Sequence, residues 1–181
     1  MILTLAERIR EVETAFAKHQ TDKLTHGYAP VYATVKWGIL DILELGVYRG
    51  ASVRAWLDLF PAARIVGVDQ SEPLDPTTSE RYRLVVRDYR YAIEDIHPGG
   101  FDLIVEDMYH YVDSQVEAAR LYYPRLRPGG MYVIEDVHVS NISALEAGLV
   151  AAGLPLGEII WTGPWATPPL RPDDRLLVMT R

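Results

Sequence analysis

The chain has 181 residues, 49% of them hydrophobic and 24% charged, the balance of one globular domain with a full core. Its net charge of -7 argues against a nucleic-acid binder, which presents a basic face to phosphate. The chain has no cysteine, which excludes disulfides, thiolate metal sites and cysteine nucleophiles, and no apolar run approaches the roughly 20 residues of a membrane span.

The opening MILTLAERIREVETAF carries acids and no basic-then-apolar leader, so the sequence reads as that of a cytoplasmic protein. Leu5, Ile9, Val12 and Phe16 recur at helical spacing and predict an amphipathic helix. A polar loop from Thr21-Asp22-Lys23 to Pro30 follows, then a second short helix over 32–37. Residues 1–38 are expected as a helical cap on a single domain whose core runs over 39–181.

From residue 41 the pattern changes. Apolar runs with branched residues alternate with helix-period segments, the signature of βαβ units in a parallel sheet. The first strand, 41–45, passes through a glycine turn into a helix with Val53, Trp56, Leu57 and Phe60 on one face. A second strand, 64–69, ends in an acid. Two prolines in 71–80 shorten or remove the crossover helix that would follow. Strands at 83–86 and 102–106 come next. Val112, Val116, Ala119, Tyr123 and Leu126 mark a helix that Pro124 ends or kinks. A turn over 127–130 leads into a strand at 131–135, and Ile142, Leu145 and Leu149 give a helix ending near Gly153. Strands at 158–161 and 176–180, joined without a helix, form a closing antiparallel hairpin. The expected fold is α/β: a Rossmann-like, doubly wound, seven-stranded, mostly parallel sheet with a C-terminal antiparallel hairpin. The loop 162–174 holds four prolines and Trp165. Its composition suggests self-association, so a homo-oligomer is expected.

The first strand turns through Glu44-Leu-Gly46-Val-Tyr-Arg-Gly50-Ala-Ser52. Gly46 permits backbone geometry that a Cβ obstructs, and Gly50 allows close approach of a ligand. The G-x-x-x-G spacing is not the dinucleotide G-x-G-x-x-G, which weakens the case for a pyrophosphate ligand. A Glu44 carboxylate suits the amine of a methionine-like cofactor, and Ser52 belongs to the same cradle. Asp69, some 20 residues on, ends the second strand where an acid binds ribose hydroxyls. Asp88 is placed to bond an adenine amine, or is a loop acid. These residues point to S-adenosylmethionine; the bland alternative is an ordinary turn and helix cap.

Further along, one strand ends in Glu106-Asp107, followed by His110, and its expected neighbour, roughly 4.8 Å away, ends in Glu135-Asp136. Like charges that close repel unless a cation separates them. A hard divalent ion such as magnesium answers this, with Asp107, Glu135 and Asp136 as ligands and Glu106 turned into the sheet. Alternatively the acids cap helices or pair with Arg49, Arg87 and Arg90. His110 is the expected general base, and His138 is a competing base or fourth ligand. Tyr109, Tyr111, Tyr122, Tyr123 and the loop 161–169 form an acceptor wall, or pack in the core or a subunit interface.

Asp107-x-x-His110 and Pro124-Arg-Leu-Arg-Pro-Gly-Gly-Met-Tyr-Val-Ile-Glu135-Asp136 resemble the metal-dependent antibiotic sugar O-methyltransferases of the mycinamicin macrolide type, a group with the class I methyltransferase fold. So do Thr21-Asp-Lys23…His26-Gly-Tyr28 and the run from Leu43 to Asp69. The resemblance implies magnesium held by Asp107, Glu135 and Asp136, with His110 as base. It also implies S-adenosylmethionine held by Glu44, Gly46, Asp69 and the loop around Lys23. The implied activity is methyl transfer to a hydroxyl of a small natural product, a sugar diol or catechol-like acceptor. Neither nucleic acid nor membrane is expected as a partner. Competing readings on this fold are a metal-independent methyltransferase, a hydroxylase-like enzyme, and a non-catalytic module that binds the same cofactor.

Overall fold

The structure is a computed structural model that describes residues 3–36, 38–96 and 99–181. Helix α1 (Leu5–His19) starts at Thr4, whose hydroxyl accepts from the Glu7 amide while the Glu7 carboxylate accepts from the Thr4 N–H at 2.7 Å. Such a capping box is worth about 1 kcal/mol. The helix buries Val12, Ala15 and Phe16, and Phe16 lies edge-on to Trp56 with ring centroids 5.5 Å apart. The second helix departs from expectation. α2 covers Ala29–Tyr32 because Pro30, which lacks an N–H, is suited to a helix's first turn rather than to a preceding loop. The expected end at Trp37 lies outside the described residues.

The remaining elements are β1 (Asp41–Leu45), α3 (Ala51–Leu59), β2 (Arg64–Asp69), β3 (Tyr82–Val86), α4 (Tyr89–Ala92), β4 (Phe101–Glu106), α5 (Val112–Tyr122), β5 (Leu126–Ile134), α6 (Ile142–Ala151), β6 (Glu158–Trp161) and β7 (Arg175–Thr180). They build one seven-stranded sheet in the order β3-β2-β1-β4-β5-β7-β6. β1 to β5 pair in parallel, and β7 runs antiparallel to both β5 and β6. The central strands are apolar on both faces, as a sheet covered on two sides requires. Ile42, Val105 and Val133 join Phe16 and Trp56 on the face under α1 and α3. Leu43, Ile104 and Ile134 join Ala118, Tyr122 and Leu145 under α5 and α6.

No helix bridges β2 and β3 among the described residues. Instead the Arg81 guanidinium donates to the carbonyls of Leu57 at 2.8 Å, Phe60 at 3.0 Å and Ala63 at 3.1 Å, satisfying carbonyls left open at the end of α3. α5 stops at Tyr122, so Pro124 ends the helix rather than kinking it, and Tyr123 and Leu126, expected on its face, fall in the turn that follows and in β5. The turn expected over 127–130 is instead part of β5, which starts at Leu126 with a register shift opposite Phe101 and Leu103. Glycines 129 and 130 allow the irregularity: Gly129 has φ 77, and a Cβ on Gly130 would lie 3.0 Å from the Asp102 carbonyl oxygen.

The chain moves outward from β1 through β2 to β3, then returns to the other side of β1 as β4. Loops leaving β1 and β4 therefore part company at that point, which is where open α/β sheets form their ligand crevice. No helix among the described residues is long and apolar enough to cross a membrane.

Candidate active site

The floor of the crevice is the β1–α3 turn. Gly46 has φ 90, and a Cβ there would sit 1.9 Å from the carbonyl oxygen of Asp107. Only glycine fits, because the β4 loop crosses directly over the turn. The Gly46 amide donates to Val68 at 2.9 Å and the Asp107 amide to Leu45 at 2.8 Å, so the two loops are fixed to the same strand ends. Asp69 Oδ2 accepts from the Val47 and Tyr48 amides, both at 2.9 Å, and Oδ1 from Ser71 at 3.1 Å. Burial pushes the Asp69 carboxyl up, but these amides outweigh it and hold the group below its ordinary range. A cavity of about 910 Å³ opens above, bordered by Gly46, Ser52, Asp69, Asp107, His110 and Asp136. Gly50, by contrast, does not border it; at φ 68 it starts α3, and its open side meets Thr77 and Arg54.

Lys23 and Glu44 stand differently from expectation. Lys23 borders the cavity, yet its ammonium lies 2.7 Å from Asp107 Oδ2, 2.5 Å from Glu135 Oε2 and 3.8 Å from Glu44 Oε1. It is only 1% exposed. Burial pulls its pKa down, but the three carboxylates outweigh burial and hold the ammonium well above its ordinary range. Glu44 is sealed, accepts from the Trp56 indole at 3.3 Å, and is pushed by burial up to about 7 against the pull of Lys23. It does not reach the cavity. Glu135, expected as a metal ligand, has both oxygens engaged, one by Lys23 and the other by the Tyr32 hydroxyl. The reason in each case is the same: a buried ammonium is already the cation between these acids.

What converges on the cavity is Asp107, His110 and Asp136, whose donor atoms lie within 4.8 Å of one another. Both His110 (φ 54) and Asp136 (φ 53) are in the left-handed region, a strain of the order of 1–3 kcal/mol that clusters at functional sites. The Tyr28 hydroxyl donates to Asp136 Oδ1, and the Asp136 amide donates back to that hydroxyl at 3.2 Å. His110 Nε2 faces Asp136 Oδ2 across 3.8 Å, and its buried Nδ1 has no partner among the described residues. Burial raises the Asp107 carboxyl but Lys23 overrides it, so the net shift is downward. At Asp136 burial and then the Asp107 charge both push the pKa up. Two carboxylates with an imidazole beside them suit a hard or borderline divalent cation.

Other expectations sort themselves by distance from this cluster. Glu106 is turned into the sheet, as expected, and is pushed by burial up to about 8. Asp88 caps α4 and pairs with Arg90 at 2.6 Å instead of bordering the cavity; its nearest cation is two residues away. His138 accepts from the Ser140 amide at 3.2 Å and caps the turn Val139–Asn141, away from the cavity. Tyr122 and Tyr123 donate to the carbonyls of Tyr89 at 2.5 Å and Thr180 at 2.8 Å, so they belong to the packing and not to an acceptor wall. Tyr109 does border the cavity. Tyr28 and Tyr32 carry no role in the sequence reading; the available signal was their spacing behind Thr21-Asp-Lys23.

A family model described as a methyltransferase domain matches residues 43–137, more than half of the chain. The chain belongs to that methyltransferase family. Among the relatives of this methyltransferase is the 8-demethyl-8-(2-methoxy-alpha-L-rhamnosyl)-tetracenomycin-C 3'-O-methyltransferase of Streptomyces olivaceus. It is 33% identical over 138 residues, covering 67% of this chain and 35% of the relative. The mycinamicin VI 2''-O-methyltransferase of Micromonospora griseorubida is 32% identical over 108 residues, 53% of this chain and 27% of the relative. The chain thus spans about a third of the length of the curated relatives it matches. A solved structure of the MycE methyltransferase from the mycinamycin pathway, in complex with Mg, SAH and mycinamycin VI, aligns with TM-score 0.60 and 26% identity. It covers 70% of this chain and 39% of that one. The fold alone is shared with a protein structure from Nostoc punctiforme, at TM-score 0.65 and 14% identity over 93% of this chain and 59% of that one.

Proposed function

We propose that the chain is the catalytic core of an S-adenosylmethionine-dependent, divalent-cation-assisted O-methyltransferase acting on a hydroxyl of a small natural product, of the sugar-diol or catechol class. The observation that carries the reading is that Asp107, His110 and Asp136 meet in the same cavity as the Gly46 turn and Asp69. Relatives named as sugar O-methyltransferases, and a structural neighbour in complex with Mg and SAH, support it.

In this reading Asp69 accepts from ribose hydroxyls, the Gly46 turn forms the floor beneath the cofactor, and Ser52 lines the methionine end. Asp107 and Asp136 hold the cation, while Glu135 supports Asp107 from behind through Lys23. A bound divalent ion supplies Lewis-acid stabilisation that makes the acceptor hydroxyl more acidic, and S-adenosylmethionine supplies the electrophilic methyl. His110 Nε2 receives the hydroxyl proton, and the Asp136 charge 3.8 Å away stabilises the imidazolium that results. The O–H bond breaks, an O–CH3 bond forms, and the electron pair of the S–CH3 bond stays on sulfur. Tyr109 flanks the acceptor side.

One observation favours a second reading, a metal-independent methyltransferase: Lys23 already places a cation between Asp107 and Glu135. Calorimetry with S-adenosylhomocysteine and NAD, followed by methyl-transfer assays over sugars and catechols with and without chelator, tests both. The expected result is binding of S-adenosylhomocysteine but not NAD, and turnover abolished by chelator and by Asp107→Ala. Full turnover in chelator selects the metal-independent reading, and no binding of S-adenosylhomocysteine overturns both.

A further inference from the structure

The chemistry above leaves one polar chain unused. His26 follows Lys23 on the loop before α2, while Arg171 and Asp174 lie in the segment leading into β7. The two segments fit backbone to backbone. The Thr162 hydroxyl donates to the His26 carbonyl at 2.6 Å, and the Thr167 amide to Thr25 at 2.8 Å. A Cβ on Gly27 (φ 72) would lie 2.6 Å from the Ala166 nitrogen, so the approach needs glycine there.

Within this contact Arg171 Nη1 lies 2.7 Å from His26 Nε2. A guanidinium only donates. Nε2 therefore presents its lone pair, which puts the ring proton on Nδ1. Nδ1 lies 3.0 Å from Asp174 Oδ1 and 3.6 Å from Asp136 Oδ1, close charge contacts outside hydrogen-bond geometry. Asp174 is 1% exposed, and its other oxygen accepts from the Arg171 amide at 2.6 Å. Tyr28, whose hydroxyl donates to the same Asp136 Oδ1, packs its ring against His26 with centroids 5.3 Å apart. Oδ1 of Asp136 thus takes the Tyr28 hydroxyl and has the His26 ring beside it, while Oδ2 faces His110 and the cavity.

We propose that Arg171, His26 and Asp174 form a clamp that orients Asp136 and presents its Oδ2 edge to the cavity, with His26 and Arg171 as positioning residues. The proposal rests on the reading that Asp136 holds a divalent cation. Partners that orient a ligating carboxylate typically govern metal affinity by about 10- to 100-fold. The 162–174 segment thereby gains a role, since it carries the arginine that fixes the tautomer. A rival use of the same residues is a second cation between His26, Asp173 and Asp174, whose donor atoms also lie within 4.8 Å. Arg171 opposes it, because a ligating Nδ1 requires the proton on Nε2, against the guanidinium.

Two measurements on the full chain test the clamp. Nitrogen-15 histidine spectra without metal should place the His26 proton on Nδ1, and Arg171→Ala, at an exposed position, should give mixed tautomers. An Nε2 proton in the unaltered protein overturns the proposal. Mn2+ titration followed by electron paramagnetic resonance, with S-adenosylhomocysteine present, should give one site. Arg171→Ala and His26→Gln should weaken it about tenfold, while His26→Asn, which keeps an N–H near the Nδ1 position, should stay within about threefold. Equal affinity in all four proteins overturns the clamp, and so does a second equivalent of Mn2+ lost in His26→Asn. If the unaltered protein binds no Mn2+, the metal reading fails, and the tautomer still decides separately whether Arg171 sets His26.

Discussion

Replacing Lys23 by methionine keeps the length of the side chain and removes its charge, which leaves Asp107, Glu135 and Glu44 without the cation they share. Lys23 and Glu44 are 1% and 0% exposed and Glu135 is 1% exposed, so water cannot take over the role. Removing one partner of such a buried pair costs about 3–5 kcal/mol, or a fall in Tm of roughly 6–20 °C for a chain of this size. The loss depends on pH. Burial already pushes Glu44 and Glu135 up against the pull of Lys23; without the ammonium the carboxyls rise further and bind protons in the folded state that the unfolded chain has already released. Stability then falls as pH rises through that interval. The deficit is therefore largest near about pH 8 and shrinks towards about pH 5. Urea unfolding of both proteins at several pH values measures it. A deficit below about 1 kcal/mol at the alkaline end refutes the reasoning, and one of constant size across pH refutes its electrostatic cause.

Glu106, pushed by burial from 4.5 to about 8, stays protonated in the fold while the unfolded chain ionises, so it makes stability decline between those values. Glu106→Gln should remove that decline, a difference of roughly 3–5 kcal/mol at the upper end, seen as a flatter plot of Tm against pH. Gly46→Ala forces a Cβ to 1.9 Å from the Asp107 carbonyl oxygen. It should displace the β4 loop, cost about 3 kcal/mol or more in urea unfolding, and abolish S-adenosylhomocysteine binding by calorimetry. Asp69→Ala leaves the Val47 and Tyr48 amides without their acceptor and should weaken that binding at least about tenfold; unchanged affinity would remove Asp69 from the cofactor site.

Much of this was legible in the sequence because the signals are local. β2 and β4 are short apolar runs ending in an acid, β5 runs straight into Glu135-Asp136, and the glycine at position 46 marks the turn that follows β1. From those ends the positions of Asp69, Asp107 and Asp136 at one sheet edge follow directly. Which acid faces which cation does not follow, because it depends on side chains brought in from far along the chain. Glu135 and Asp136 are adjacent, yet alternation along the chain sends one to Lys23 and Tyr32 and the other to Tyr28 and the cavity. Asp88 shows the opposite error: a local partner, Arg90, takes an acid that strand geometry alone would have given to the adenine. The early start of β5 was hidden because Arg-Pro-Gly-Gly has the composition of a turn while tolerating an irregular strand.

The bonds that tie residues 23–32 to the site join positions far apart in sequence: Lys23 to Asp107 and Glu135, Tyr32 to Glu135, and Tyr28 to Asp136, over separations of 84, 112, 103 and 108 residues. Closing loops of that length is slow. During synthesis the ammonium of Lys23 leaves the ribosome well before its partners at the ends of β4 and β5. The central strands can collapse without it only by drawing carboxyls into the core uncompensated. Burial of the late strand ends is therefore tied to docking of the early segment, and refolding should speed up as the solution is acidified enough to neutralise the waiting acids.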